Sequence, residues 1–158
     1  QDIEEVITGV EWTTILFFTG LFVVVGGLQE TGIIQVLANG LMDLTKGHMT
    51  MTILLILWVS AIVSSFLDNI PFVATLIPLI LTMQSSGVDV TPLWWAVSLG
   101  ACLGGNGTLI GASANVVLSG ISTRHGFPIT FASYLKVGFP MMLVSVAIST
   151  VFLLIRFG

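Results

Sequence analysis

The sequence predicts an all-α polytopic membrane protein with full-length spans, a re-entrant helical hairpin and a discontinuous transmembrane helix. Three observations point there. The 158 residues are 55% hydrophobic and 8% charged, with mean hydropathy +1.08, whereas soluble domains carry about 25% charged residues. The charges sit at the borders of long apolar stretches. Two stretches are interrupted by polar or glycine-rich breaks instead of charged loops, at Asp68-Asn69 and at Gly104-Gly105-Asn106-Gly107-Thr108. Eight acids and four bases cannot cover a globule, so lipid must solvate most of the surface.

The same counts exclude other classes. Lys46, Arg124, Lys136 and Arg156 are scattered and form no phosphate-tracking patch, so no nucleic-acid partner is expected. Cys102 is the single cysteine, which rules out a disulfide scaffold. The net charge of −4 arises largely from Asp2 to Glu11. That acidic start lacks the pattern of a cleavable signal peptide.

Each element follows from the charge spacing. Between Glu11 and Glu30, Lys46 and Asp68, and Lys136 and Arg156 lie apolar runs of roughly 18 to 21 residues, each able to cross a ~30 Å core. Residues 12–29 and 137–156 read as transmembrane helices, the latter with Pro140 in its first turn. In 31–46, Gln35, Asn39, Asp43 and Lys46 recur every three or four residues, opposite Ile33, Ile34, Leu37, Leu41 and Leu44. That is an interfacial amphipathic helix. Residues 49–67 and 71–83 are two apolar arms, and the second is too short to span. The pair, 49–84, reads as a re-entrant hairpin, with two full spans as the alternative. A segment such as 109–121 covers only about 20 Å, so it completes a crossing only together with 92–103, as one broken helix over 92–122. Two bases fall on each side of the membrane in this arrangement, so charge does not orient it.

The breaks hold the candidate chemistry. An ionisable Asp68 amid apolar flanks costs about 2.5–3.5 kcal/mol if buried in a bilayer, and backbone at that depth must line a cavity or pack in protein. The competing reading is a surface turn in which Asp68-Asn69 caps a helix opened by Pro71. In the cavity reading, Ser64, Ser65 and Asn69 add neutral oxygens suited to a hard cation or a proton relay. Gly104, Gly105 and Gly107 around Asn106 and Thr108 remove side chains where backbone faces something closely. A helix broken there offers carbonyls to a cation and amides to an anion. Gly100 and Gly111 fit small-residue helix packing. Ser113 and Asn115 either line the cavity or bond a neighbouring helix. His48 and His125 have no partner at metal-ligand spacing, and no nucleophile–base pair occurs, so an enzyme is not expected.

Phe66-Leu67-Asp68-Asn69-Ile70-Pro71-Phe72 and the run from Gly100 to Val117 resemble the ion-transporter superfamily. The nearest branch is that of arsenite permeases, NhaD-type sodium/proton antiporters and P protein-like transporters with a citrate transporter-like domain. The resemblance covers the chain from Trp12 to Arg156 and corresponds to the C-terminal half of such a transporter. It implies two inverted repeats, of which this chain is one, working by an elevator-like movement. The family's hairpin-tip residues carry over to Ser64, Asp68 and Asn69, and its unwound-helix residues to Gly104, Gly105, Asn106 and Thr108.

From this resemblance and the breaks, the expected coupling site for Na⁺ or H⁺ comprises Ser64, Asp68, Asn69, Gly104, Gly105 and Asn106. The expected substrate contacts are Asn69, Pro71, Asn106, Thr108, Ser113 and Asn115. No other cofactor is expected. Related sodium/dicarboxylate transporters carry Ser-Asn-Thr where this chain has Asp68-Asn69-Ile70. The added carboxylate favours direct cation binding, and the missing threonine weakens the case for a dicarboxylate. Arsenite, an inorganic ion and an organic anion stay open as substrates.

The expected function is therefore secondary active transport, with a passive anion channel or a non-transporting membrane scaffold as alternatives. Because Gln1 is no natural start, the chain is expected to be a fragment of a longer permease. Its expected partners are the missing N-terminal repeat or a second, oppositely oriented copy, a homodimer of the full transporter, and the lipid bilayer. The expected location is a bacterial or archaeal cell membrane.

Overall fold

A computed structural model describes residues 12–158, which form seven helices and no strand. These are α1 (Trp12–Glu30), α2 (Ile33–Thr45), α3 (Met49–Ser64), α4 (Asn69–Ser85), α5 (Thr91–Gly104), α6 (Ser113–Arg124) and α7 (Phe131–Phe157). The acidic start and its lack of a signal pattern lie outside the described residues. With its apolar surface, the chain is an all-α membrane protein.

Among the described residues, α7 alone is long and apolar enough to cross a membrane as a single helix. Its 27 residues rise about 40 Å. It begins six residues before the expected Val137, for a local reason. Thr130 Oγ1 accepts from the Ser133 amide at 3.2 Å, and Ser133 Oγ accepts from the Thr130 amide at 3.0 Å, a reciprocal cap. Pro140 is thereby inside the helix and not in its first turn. It has no N–H to give the Lys136 carbonyl.

α1 and α2 meet at Gly32, whose φ of 76° lets the chain turn by 67°. Together the two helices have the length and apolarity of one broken span. α2 carries polar residues on one side, where Gln35 Nε2 donates to Asn39 Oδ1 at 3.0 Å. It buries Ile34 and Ala38 and leaves Val36, Leu37 and Leu44 exposed.

The centre of the molecule is α3 against α5. Leu57 and Ser60 face Gly100, while Ala61 and Ser65 face Gly104, so the two helices run in the same direction. Small residues make this possible: a methyl added at Gly100 would come within 2.5 Å of the Leu57 carbonyl oxygen. α4 returns alongside, packing on α2 and α5 and burying Leu79, Ile80 and Met83. α7 runs antiparallel to α3 and contributes Met142, Val146 and Leu153 to the same core. Trp58 Nε1 on α3 donates to Thr150 Oγ1 on α7 at 3.0 Å, which fixes their register. α6 is the exception. None of its residues is buried, and it packs on no other helix among the described residues.

Candidate functional site

Because α3 and α5 are parallel and end at the same level, their carbonyl-bearing C-terminal ends converge. Each end carries roughly half a negative charge. The turn between α3 and α4 (residues 65–68) and the break between α5 and α6 (residues 105–112) lie against one another there.

Side chains interlock the two. Ser64 and Ser65, both fully buried, reach across from α3. Ser64 Oγ lies 2.8 Å from the Ala101 carbonyl and also meets the Asn69 amide. One hydroxyl proton serves one acceptor. If it goes to the carbonyl, the amide satisfies Ser64 by a half-turn that presents its NH₂ group. Ser65 Oγ lies 2.8 Å from the Ala61 carbonyl and 2.9 Å from that of Gly104, so its proton is shared between two helix ends. Thr108, also fully buried, donates its hydroxyl to the Ser65 carbonyl. From α6, Asn115 Nδ2 donates to the carbonyls of Gly105 at 3.0 Å and Thr108 at 3.3 Å, closing the break on itself. No buried side-chain nitrogen or oxygen among the described residues lacks a partner.

Glycine is required here for space. None of Gly104, Gly105, Gly107 and Gly111 has a positive φ. A methyl at Gly104 would stand 2.7 Å from the Ala61 Cα, and one at Gly107 would meet the Ser65 side chain. A methyl at Gly105 would stand 3.0 Å from Asn69 Oδ1. Gly111 packs on the break itself: a methyl there would lie 2.8 Å from the carbonyl oxygens of both Gly105 and Ser65. Its expected role in helix packing is thus replaced by one inside the junction.

Of the candidate residues, Ser64, Asn69, Gly104, Gly105, Thr108 and Asn115 come together. Asp68 is half-buried and caps α4, its Oδ1 accepting from the Ile70 amide at 3.2 Å. Pro71 is half-buried in the first turn of α4. Asn106 is exposed at the tip of the break, its carbonyl lying against Gly138 of α7. Ser113 is exposed as the first residue of α6. Ser65, expected as one of the neutral oxygens, also belongs to the junction, as do Gly107 and Gly111, which are not among the expected ligands. Their sequence signals are the pairing of Ser64 with Ser65 at the end of an apolar arm and the glycine-rich run that holds Gly107 and Gly111.

The donor set is oxygen-rich. No group of three or more His, Cys, Asp or Glu side chains that could hold a metal ion occurs among the described residues. A cation at this junction would meet carbonyl, hydroxyl and amide oxygens, a set that suits hard ions.

Residues 1–100 match the citrate transporter family (CitMHS). The P protein of Homo sapiens is 43% identical over 98% of this chain and 20% of its own length. An uncharacterized transporter of Mycobacterium bovis is 46% identical over 97% of the chain and 36% of its own length. A 46 kDa membrane protein of Mycobacterium leprae is 42% identical over 96% and 36%. The chain therefore spans a fifth to about a third of these relatives. No solved structure matches it. Human and mycobacterial proteins match at similar identity, so the narrower expectation of a bacterial or archaeal membrane is not supported. The chain belongs to the citrate transporter family, a family of membrane transport proteins and not of enzymes.

Proposed function

We propose that the junction of the α3–α4 turn with the α5–α6 break is half of the solute site of a secondary active transporter, coupled to Na⁺ or H⁺. The observation that carries this reading is the convergence of two parallel helix C-termini on Ser64, Ser65 and Asn69. Such ends favour a cation and are tolerated at membrane depth only within protein or around a cavity. Asp68, at the head of α4 and next in sequence to Asn69, is the candidate carboxylate for the coupling ion. The substrate is a small ion or anion: arsenite, another inorganic ion or an organic anion. The other half of the site comes from the remainder of the full-length protein, acting as a homodimer, and the cycle is an elevator-like displacement of this junction.

A passive anion channel is the second reading, supported by the first amides of α4 and α6, which border the same junction. Reconstituting the full-length protein in proteoliposomes separates the two. Coupled transport gives accumulation against the substrate's own gradient, driven by a Na⁺ or proton gradient and lost in Asp68→Asn. Flux that only follows the electrochemical gradient, unchanged in Asp68→Asn, supports the channel.

A further inference from the structure

Between α2, α3 and α4 lies a groove of about 350 Å³, walled by Leu37 and Leu41 of α2, Ile56 and Val59 of α3, and Phe72 and Leu76 of α4. Ser60, at its deep end, is the one polar residue among those that line it, and Ser60 is itself buried. Gly40 helps to make the gap: a methyl added there would meet nothing within 4 Å. A groove this apolar, on a surface solvated by lipid, takes hydrocarbon and not water. Hydrocarbon inside it supplies the contacts that its walls would otherwise lack.

One end of the groove leads to a polar mouth. Leu44 and Leu55 also line a second cavity, of about 500 Å³, whose walls include Lys46 and His48 in the turn between α2 and α3. Along α3 the lining of the two cavities runs from Met51 to Ser60, about 14 Å of helix. The turn is a polar interruption between two apolar helices, which sets it at headgroup level, within reach of the Lys46 side chain. The Thr45 hydroxyl is spent on the carbonyls of Leu41 at 3.0 Å and Met42 at 3.2 Å. His48 makes no side-chain bond to the start of α3, so its imidazole is free of that duty. Asp43, one turn before Lys46, lines a separate cavity and not this one. The mouth therefore carries a positive charge and an imidazole, with no carboxylate among its lining residues.

We infer that groove and mouth together are a binding site for an anionic glycerophospholipid, one acyl chain lying along α3 and the phosphate held by Lys46 and His48. The acyl chain gives no selectivity, because every neighbouring lipid offers the same hydrocarbon. Selectivity comes from the charge at the mouth, and one lysine near an anionic headgroup favours it about fivefold. The inference stands apart from the transporter reading and needs no transport to test.

The full-length protein is delipidated in detergent and titrated with dioleoyl-phosphatidylglycerol or dioleoyl-phosphatidylcholine, and bound lipid is counted by native mass spectrometry. The wild type is expected to prefer phosphatidylglycerol about fivefold. Lys46→Asn, which suits the left-handed backbone there (φ 50°), is expected to lose that preference while still binding phosphatidylcholine. Gly40→Phe, whose ring would occupy the groove, is expected to lose the lipid itself. Equal binding of the two lipids by the wild type, or an undiminished preference in Lys46→Asn, overturns the site. So does a folded Gly40→Phe that binds lipid as before, since the groove would then be filled by the rest of the protein. If Gly40→Phe does not fold, Lys46→Asn decides alone.

Discussion

Thr108 and Ser65 stand 43 residues apart in the sequence and are joined by one buried hydrogen bond, from the Thr108 hydroxyl to the Ser65 carbonyl. That carbonyl is beyond the last turn of α3, with no helical partner of its own, so the break supplies what the helix cannot. Thr108→Val keeps the shape and deletes the donor. It is expected to cost about 1–3 kcal/mol, the price of a buried acceptor left unpaired. Thr108→Ser is expected to recover most of the loss. The unfolding midpoint of the full-length protein in detergent measures both, and an unchanged midpoint in Thr108→Val contradicts the assignment.

The glycines divide by what surrounds them. Gly104→Ala forces a methyl onto the Ala61 backbone and is expected to destabilise by about 1–3 kcal/mol, as overpacked sites do. Gly120→Ala on α6 meets nothing within 4 Å and is expected to be neutral or stabilising by up to about 1 kcal/mol. Equal effects at the two positions would mean that the α3–α5 contact is looser than described.

Asn115 acts on the break through two carbonyls. Asn115→Ala and Asn115→Asp both remove the donor, and both are expected to raise amide hydrogen exchange across residues 105–112, with α3 unaffected. Exchange that stays at the wild-type level in both variants would show that the break holds its shape unaided.

Asp89 sits in the exposed connection before α5. The Thr91 backbone amide, 3.0 Å from its Oδ1, holds its carboxyl below the ordinary 3.8, with the Thr91 side chain assisting. A carboxyl lowered in the folded state stabilises above the ordinary value, and that contribution is lost as pH falls through it and below. Asp89→Asn is therefore expected to flatten the acid side of the melting-temperature profile slightly, leaving neutral pH behaviour nearly intact. An acid limb as steep as that of the wild type would remove the Asp89–Thr91 contact from the account.

Much of this junction was legible in the sequence, because its cause is local. A lone Asp-Asn between apolar arms and a run of glycines both announce backbone that leaves a helix. The limits of the elements were less legible. Apolarity marks where lipid begins, but Thr130 and Ser133 decide where α7 begins, six residues earlier. Leu109 and Ile110 look helical by composition and instead lie in the break, which runs on to Ala112. What holds them there is Gly111 against the carbonyls of Ser64, Ser65 and Gly105, a contact between distant segments that no local pattern encodes.

The most direct test of the junction as a coupling site is the Na⁺- and pH-dependence of thermal stability in the purified full-length protein. Compared with the wild type are Asn69→Ala and Gly105→Ala, which alter facing residues on the two sides of the junction. The account predicts a midpoint that rises with the coupling ion in the wild type and an ion-dependent rise that disappears in both variants. An undiminished rise in both would place the ion elsewhere and contradict it.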